Sequence, residues 1–250
     1  MEKTEKQKAN FGLVGKDISY SFSRGYFKKK FEDMGLKDYT YQNFDLPTIS
    51  EFPSIFKNTE NIKGLNVTIP FKEVVMAHLD DIDIAAKKIG AVNTIKFSQD
   101  GLKGFNTDAY GFEKSIEPYL RDHHKKALIL GTGGASKAVA FVLEKLGISF
   151  SFVSRSGKNN GYSYNNLSDD IITEHTLIIN CSPVGTFPNI EEKPAIPYNK
   201  INKNHLLFDL IYNPEETAFL SAGRENGAAI CNGHKMLEFQ AEKSWEIWNQ

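Results

Sequence analysis

The chain has 250 residues, 40% of them hydrophobic and 24% charged, with a formal net charge of −1. That length can bury a substantial core as one large or two modest domains, and the near-neutral charge excludes a general attraction to nucleic acid or an anionic membrane. No apolar run approaches the ~20 residues a spanning helix needs, and the two cysteines, Cys181 and Cys231, are too few for a disulfide framework or a zinc site.

The N-terminal MEKTEKQKAN lacks the apolar core of a signal peptide and reads as a solvated tail, so a reducing cytoplasm is the expected compartment. Strand and helix patterns then alternate almost throughout, which predicts an α/β fold. Residues 11–14 and 39–44 read as strands around a helix over 24–34, whose Tyr26, Phe27, Phe31 and Met34 form one apolar stripe. A strand over 65–68 leads to Pro70, which suits the first turn of a helix carrying Val74, Val75, Met76 and Leu79. A short helix over 83–89 closes at Gly90. The strands 91–97 and 102–105 flank Ser98-Gln99-Asp100-Gly101, an Asp-Gly hairpin signal.

From Lys126 the pattern changes to short apolar strands at 127–130, 150–153, 177–180, 206–211 and 228–231, with helices at 135–146 and 215–225. This is the rhythm of a doubly wound parallel sheet. A last helix over 236–248 carries Met236, Leu237, Gln240, Trp245 and Trp248, which cannot share one stripe, so it is expected to touch more than one partner. The predicted organisation is a first α/β domain over 1–107, completed by 233–250, and a Rossmann-type dinucleotide domain over 108–232.

ALILGTGGASKAVAFVLEKLG reads as strand, glycine turn and helix. Gly131 permits the tight turn, Gly133 lets the backbone approach a pyrophosphate, and Gly134 and Ala135 open a helix whose N-terminus favours an anion. Ser136 stands where the fingerprint has its third glycine. After the next strand an NAD site would favour an acid for the ribose hydroxyls, but the chain has SRSGK. Ser154, Arg155 and Ser156 are therefore assigned to the cofactor, Arg155 and Lys158 supply positive charge, and a 2′-phosphate, hence NADP, is favoured.

Upstream, GLNVTIPFK offers the amine of Lys72 and GFNTDAYG the carboxylate of Asp108. Near a dinucleotide loop, an ammonium and a carboxylate suggest proton transfer coupled to hydride transfer. The ammonium can donate to a nascent alkoxide and stabilise its charge, while the carboxylate orients the amine. The plain readings are a solvated Lys72 and an Asp108 that caps a helix.

GLNVTIPFK, GAVNT, GFNTDAYG, GTGGASKA, DLIYNPEET and GHKMLEFQ stand in the order found in shikimate dehydrogenases, which the chain resembles over nearly its whole length beyond the tail. The resemblance implies a two-domain α/β enzyme of aromatic amino-acid (chorismate) biosynthesis that reduces 3-dehydroshikimate to shikimate with NADPH. The first domain would hold the substrate and the second the cofactor, with the reaction in the cleft between them. It makes Lys72 and Asp108 the catalytic pair. Ser21 and Ser23 match two serines that bind the substrate carboxylate, although Arg24 replaces the proline usual after the second. Thr68, Asn93 and, less directly, Asn66 match hydroxyl-binding positions, and Gln240 matches a substrate-binding glutamine. Tyr212 and Gly233 match positions near the reacting ring and the nicotinamide, and Ser182 lies in a loop similar to the family's cofactor-side stretch.

Locally, Ser23 can also be read as the cap of a helix starting near Arg24, Tyr212 as core packing, and Gln240 as a helix-surface hydrogen bonder. Cys181 has no role that the reaction needs. The six histidines show no ligand spacing, so no metal is expected. The expected partners are small molecules, with the chain a monomer or homodimer and too short for a fused dehydratase domain. A quinate/shikimate dehydrogenase able to use NAD is the near alternative, which SRSGK argues against and Arg24 leaves open. A ligand-binding relative without turnover is the other, against which Lys72 and Asp108 count.

Overall fold

The computed structural model describes residues 8–18, 21–157 and 161–250, so most of the expected solvated tail and Lys158 lie outside the described residues. The chain forms two compact units: residues up to Thr107 together with Ala241–Gln250, and Asp108–Gln240.

The first unit runs β1 (Ala9–Gly15), α1 (Phe22–Asp33), β2 (Tyr39–Asp45), α2 (Ser54–Asn58), β3 (Ile62–Val67), β4 (Asp81–Ile82), α3 (Ile84–Ile89), β5 (Thr94–Ser98) and β6 (Gly101–Phe105). Its mixed sheet has the order β2-β1-β3-β5-β6-β4. β1 pairs in parallel with β2 and β3, whereas β5 pairs antiparallel with β3 and β6. Every residue of β1 is buried, as expected of a strand flanked on both sides and covered on both faces. Ala9 and Asn10, assigned to the tail from sequence, thus belong to its core. One face packs Val14, Leu65, Val67, Phe71 and Ile95, and the other packs Phe11, Leu13, Phe27 and Phe31. The hairpin pairs Ser98 with Gly101, and Gly101 takes φ +108°, a conformation that suits glycine.

Three local expectations change. The first helix begins at Phe22, capped by Ser21, whose Oγ accepts from the Arg24 N–H at 3.4 Å. Ser23 therefore lies inside the first turn and is not its cap. Met34 ends that helix and is 51% exposed, leaving the buried stripe to Phe27 and Phe31. The helix expected after Pro70 is a single 3-10 turn over Val74–His78. Two β-branched residues open it and only Val75 is buried, so little favours further turns.

The second unit runs α4 (Thr107–Ile116), β7 (Lys126–Leu130), α5 (Gly134–Lys145), β8 (Ser149–Ser154), β9 (Tyr162–Ser163), α6 (Asp169–Glu174), β10 (Leu177–Asn180), β11 (Leu206–Asp209), α7 (Ala218–Glu225), β12 (Ala229–Cys231) and α8 (His234–Asn249). Its sheet, ordered β12-β11-β10-β7-β8-β9, is parallel throughout. Taken along the chain, that is the 3-2-1-4-5-6 order of the Rossmann fold, whose switch point falls between β7 and β10. Helix α7 starts later than the sequence suggests, because Thr217 caps it by accepting from the Leu220 N–H at 3.3 Å.

α8 explains its mixed apolar pattern. A side chain at Gly111 of α4 would collide with the Met236 carbonyl, so the first turns of α8 rest directly on α4. The last turns pack in the first unit, where the Trp248 ring centroid lies 4.9 Å from Phe11 and 5.2 Å from Phe27. Trp248 Nε1 donates to the Ile95 carbonyl at 3.0 Å, and Glu242 accepts from Tyr26 and from Lys30, the latter at 2.7 Å.

Candidate active site

The glycine turn joins β7 to α5 at the switch point. Gly131 takes φ +113°, and a Cβ on it would approach the Cys181 carbonyl to 3.1 Å, so the turn is packed against the end of β10. Gly133 is the N-cap of α5 and, lacking a side chain, leaves the start of the helix without a side-chain cap. Fully buried Ser136 donates its hydroxyl to the Gly133 carbonyl at 2.6 Å, so it braces the turn in place of a third glycine. At the end of β8, Ser154 Oγ is buried without a hydrogen-bond partner among the described residues, and Arg155 and Ser156 are exposed beyond it. A close-packed glycine turn, a helix start with positive dipole, an orphaned hydroxyl and an exposed guanidinium are the donor set a phosphorylated dinucleotide needs. These residues fit NADP.

The ends of β10 and β11 are tied by a buried polar group that the sequence reading passed over. Asp209 is 0% exposed. Its Oδ2 accepts from Thr217 Oγ1 at 2.6 Å, and its Oδ1 accepts from Asn180 Nδ2 and the Ile211 N–H, each at 3.0 Å. Asn180 Oδ1 in turn accepts from the Ser182 hydroxyl at 2.6 Å, which fixes the loop after β10. Burial still pushes the Asp209 carboxyl up to about 6 from 3.8, against the lowering effect of its three donors. The partly exposed Cys181 keeps its sulfur enclosed, so burial, with Asp209 nearby, holds the thiol well above its ordinary range. Tyr212 follows this turn half-buried, and Gly233 admits no side chain because a Cβ would collide with the Leu210 carbonyl.

Asp209 predicts an inverted acid dependence. Between about pH 4 and 6 the folded chain holds a proton that the unfolded chain has lost, so stability falls as pH rises through that window. The fall amounts to about 3 kcal/mol at ~1.4 kcal/mol per unit. Asp209→Asn keeps the Oδ1 acceptor and removes the charge, so urea titrations should show this slope flattened in the variant. Parallel pH profiles for both proteins would contradict the assignment.

In the first unit the polar residues converge on one buried cluster. Tyr41 Oη donates to Asn66 Oδ1 at 2.8 Å beside the Ser23 side chain, and burial raises the phenol above its ordinary range. Asn66 Nδ2 donates to Thr94 Oγ1 at 3.1 Å and Ser244 Oγ at 2.9 Å. Thr107 meets both ends of the Asn93 carboxamide: Oδ1 accepts the Thr107 N–H at 2.7 Å, while Nδ2 donates to Thr107 Oγ1 at 3.0 Å. Thr68 anchors the strand end, its N–H donating to the Val14 carbonyl at 2.8 Å and its carbonyl accepting from Phe71 at 2.9 Å. Lys72 stands in the next turn, held through its carbonyl by the Val92 N–H at 2.7 Å, with its side chain partly exposed.

Asp108 is 5% exposed and sits within the first turn of α4, where the helix dipole favours a carboxylate. Its place is inside the helix, one residue after the first helical position. Gln240 is half-buried on α8, opposite Gly111. Among the described residues no group of three or more His, Cys, Asp and Glu could hold a metal ion.

Comparison with known proteins supplies the rest. The family described as "Shikimate dehydrogenase substrate binding domain" matches residues 13–95. A shikimate dehydrogenase (NADP(+)) of Clostridium botulinum is 38% identical over 251 residues, spanning 95% of each chain. This chain belongs to the shikimate dehydrogenase family. Among solved structures of the family, the Aquifex aeolicus enzyme superposes with a TM-score of 0.86 at 31% identity, covering 97% of this chain and 93% of that one. The Thermus thermophilus enzyme, solved with NADP(H) and shikimate, gives 0.85 at 28% identity, covering 96% and 93%.

Against this family background, Lys72 falls in the first unit and Asp108 in the second. Asn66 and Asn93 are drawn into one network with Ser23 beside its Tyr41, while Ser21 serves the helix cap as an acceptor. Sequence reading missed Tyr41, Thr94, Thr107, Ser244, Asn180 and Asp209. The available signal was a polar residue at a strand end or on an otherwise apolar helix face, which carries a cost unless it is hydrogen-bonded.

Proposed function

We propose that this chain is an NADP-dependent shikimate dehydrogenase that reversibly reduces 3-dehydroshikimate to shikimate in aromatic amino-acid biosynthesis. The reading is carried by the likeness, over 96% of the chain, to an enzyme solved with both NADP(H) and shikimate. Residues 1–107, completed by 233–250, serve as the substrate domain and residues 108–232 as the NADP domain.

NADPH, when bound, supplies the hydride. Lys72 donates the proton that converts the nascent alkoxide to a hydroxyl and takes it back in the oxidation direction, with Asp108 keeping the amine oriented. Ser21 and Ser23 take the substrate carboxylate, and Thr68, Asn93 and Gln240 its hydroxyls, with Tyr212 beside the ring. Gly131, Gly133, Gly134, Ala135 and Ser136 take the pyrophosphate, and Ser154, Arg155 and Ser156 the phosphorylated ribose, with Gly233 on the nicotinamide side. No helix among the described residues is long and apolar enough to cross a membrane. The same proposal has the enzyme working in the cytoplasm on small molecules, as a monomer or homodimer.

Incubation with 3-dehydroshikimate and NADPH should yield shikimate by NMR, and recovery of unreacted ketone would overturn the reading. Arg155→Ala should weaken NADP⁺ binding about 10–100-fold, the equivalent of losing a charge-assisted contact of about 1.5–3 kcal/mol, and leave NAD⁺ binding within about twofold. Equal losses for the two cofactors would mean that Arg155 does not read the 2′-phosphate.

A further inference from the structure

Ser244 is fully buried on α8, in the last stretch of the chain that belongs to the first unit. Its Oγ lies 2.9 Å from Asn66 Nδ2, 2.8 Å from Thr94 Oγ1 and 3.2 Å from Thr107 Oγ1. The amide ends of the cluster are fixed by groups that can only donate or only accept. Asn66 Oδ1 is taken by the Tyr41 phenol, so its Nδ2 must donate to Ser244 and Thr94. Asn93 Oδ1 faces the Thr107 backbone N–H, which can only donate, so the orientation of that carboxamide is settled by main chain. Asn93 Oδ1 also accepts from Thr94 Oγ1 at 3.1 Å, and Thr94 Oγ1 in turn accepts from Asn66 Nδ2. Ser244 Oγ stands within hydrogen-bond distance of both the Thr94 and the Thr107 hydroxyls and so links the two residues that hold Asn93. It is contributed to this hydroxyl–amide cluster by α8, and it lies one turn beyond Gln240.

We propose that Ser244 is a positioning residue for the substrate: from α8 it closes the Asn66–Thr94–Thr107 cluster and so fixes the Asn93 carboxamide. This rests on the assignment of Asn93 to a substrate hydroxyl. A half-satisfied buried network loses its defined geometry, and the Asn93 carboxamide, held by Thr94 and Thr107, shifts with them. Asn93 binds ground state and transition state alike, so the loss falls on KM more than on kcat.

The test is Ser244→Ala, alone and combined with Asn93→Ala, with Thr94→Val as a second variant that removes the link from its other side. Expected for Ser244→Ala is a rise of about tenfold in KM for shikimate, with kcat and KM for NADP⁺ within about twofold. In the Asn93→Ala background the same substitution should add less than about twofold, because residues acting in one network are non-additive. Thr94→Val should reproduce the selective rise even if Ser244→Ala fails to fold. A lowered Tm with KM for shikimate unchanged would make Ser244 structural only and overturn the proposal. A full additional rise in the Asn93→Ala background would overturn it too, by placing the action of Ser244 elsewhere. If Asn93→Ala itself leaves KM for shikimate unchanged, the reading of Asn93 fails, and the proposal with it. If Asn93→Ala raises KM and Ser244→Ala does not, only the positioning role falls.

Discussion

Lys72→Ala is expected to lower kcat for shikimate oxidation by about 10²–10⁴, the range for losing a general acid–base group. The fold itself should be unaffected. The backbone of this turn is tied by the Lys72 carbonyl accepting the Val92 N–H, a bond that alanine retains. NADP⁺ affinity, measured by titration, should stay near that of the parent, since the residues proposed for the cofactor lie on the glycine turn and after β8. Lys72→Arg should fail to rescue turnover, because a guanidinium keeps its proton at any working pH and cannot take up the one released on oxidation. Near-normal turnover in either variant would remove Lys72 from the chemistry.

Gly64→Ala should cost about 3 kcal/mol of stability, at the upper end for overpacking a core. A methyl group on Gly64 of β3 would occupy the space of the Trp248 indole. The ring would then have to leave the Phe11 and Phe27 contacts and release its hydrogen bond to the Ile95 carbonyl. For a chain of this size that corresponds to a Tm lower by about 10 °C, with tryptophan emission shifted to the red. An unchanged Tm together with unchanged emission would show that Trp248 does not sit against β3. The same packing returns the end of α8, and with it Ser244, to the first unit.

The α/β class and the parallel second sheet were legible because fully buried parallel strands are short apolar runs, as at Leu177–Asn180, and need no tertiary knowledge to find. Strands of two residues, such as Asp81–Ile82 and Tyr162–Ser163, carry no period to detect. Pro70 was misleading because a proline suits a helix start and a plain turn equally well. In S-x-S either serine can cap, and the extended backbone of Ser21, φ −132° and ψ 121°, decides between them. The glycine turn and the basic loop after β8 could be read from residue types at fixed spacing. The hydroxyl–amide cluster could not, because Asn66 and Thr94 meet only through the pairing of β3 with β5, and Ser244 joins them only when α8 docks. Asp209 was hidden for a similar reason: its partners Asn180 and Thr217 come from a neighbouring strand and from the cap of the following helix.

The most direct test of the account is the growth of the NADPH absorbance band in parallel reactions with shikimate or quinate and with NADP⁺ or NAD⁺. Turnover with shikimate and NADP⁺, with the other pairings slow, is the predicted result. Equal or faster rates with NAD⁺ or quinate would contradict the cofactor and substrate assignments, and no turnover in any pairing would contradict the enzyme itself.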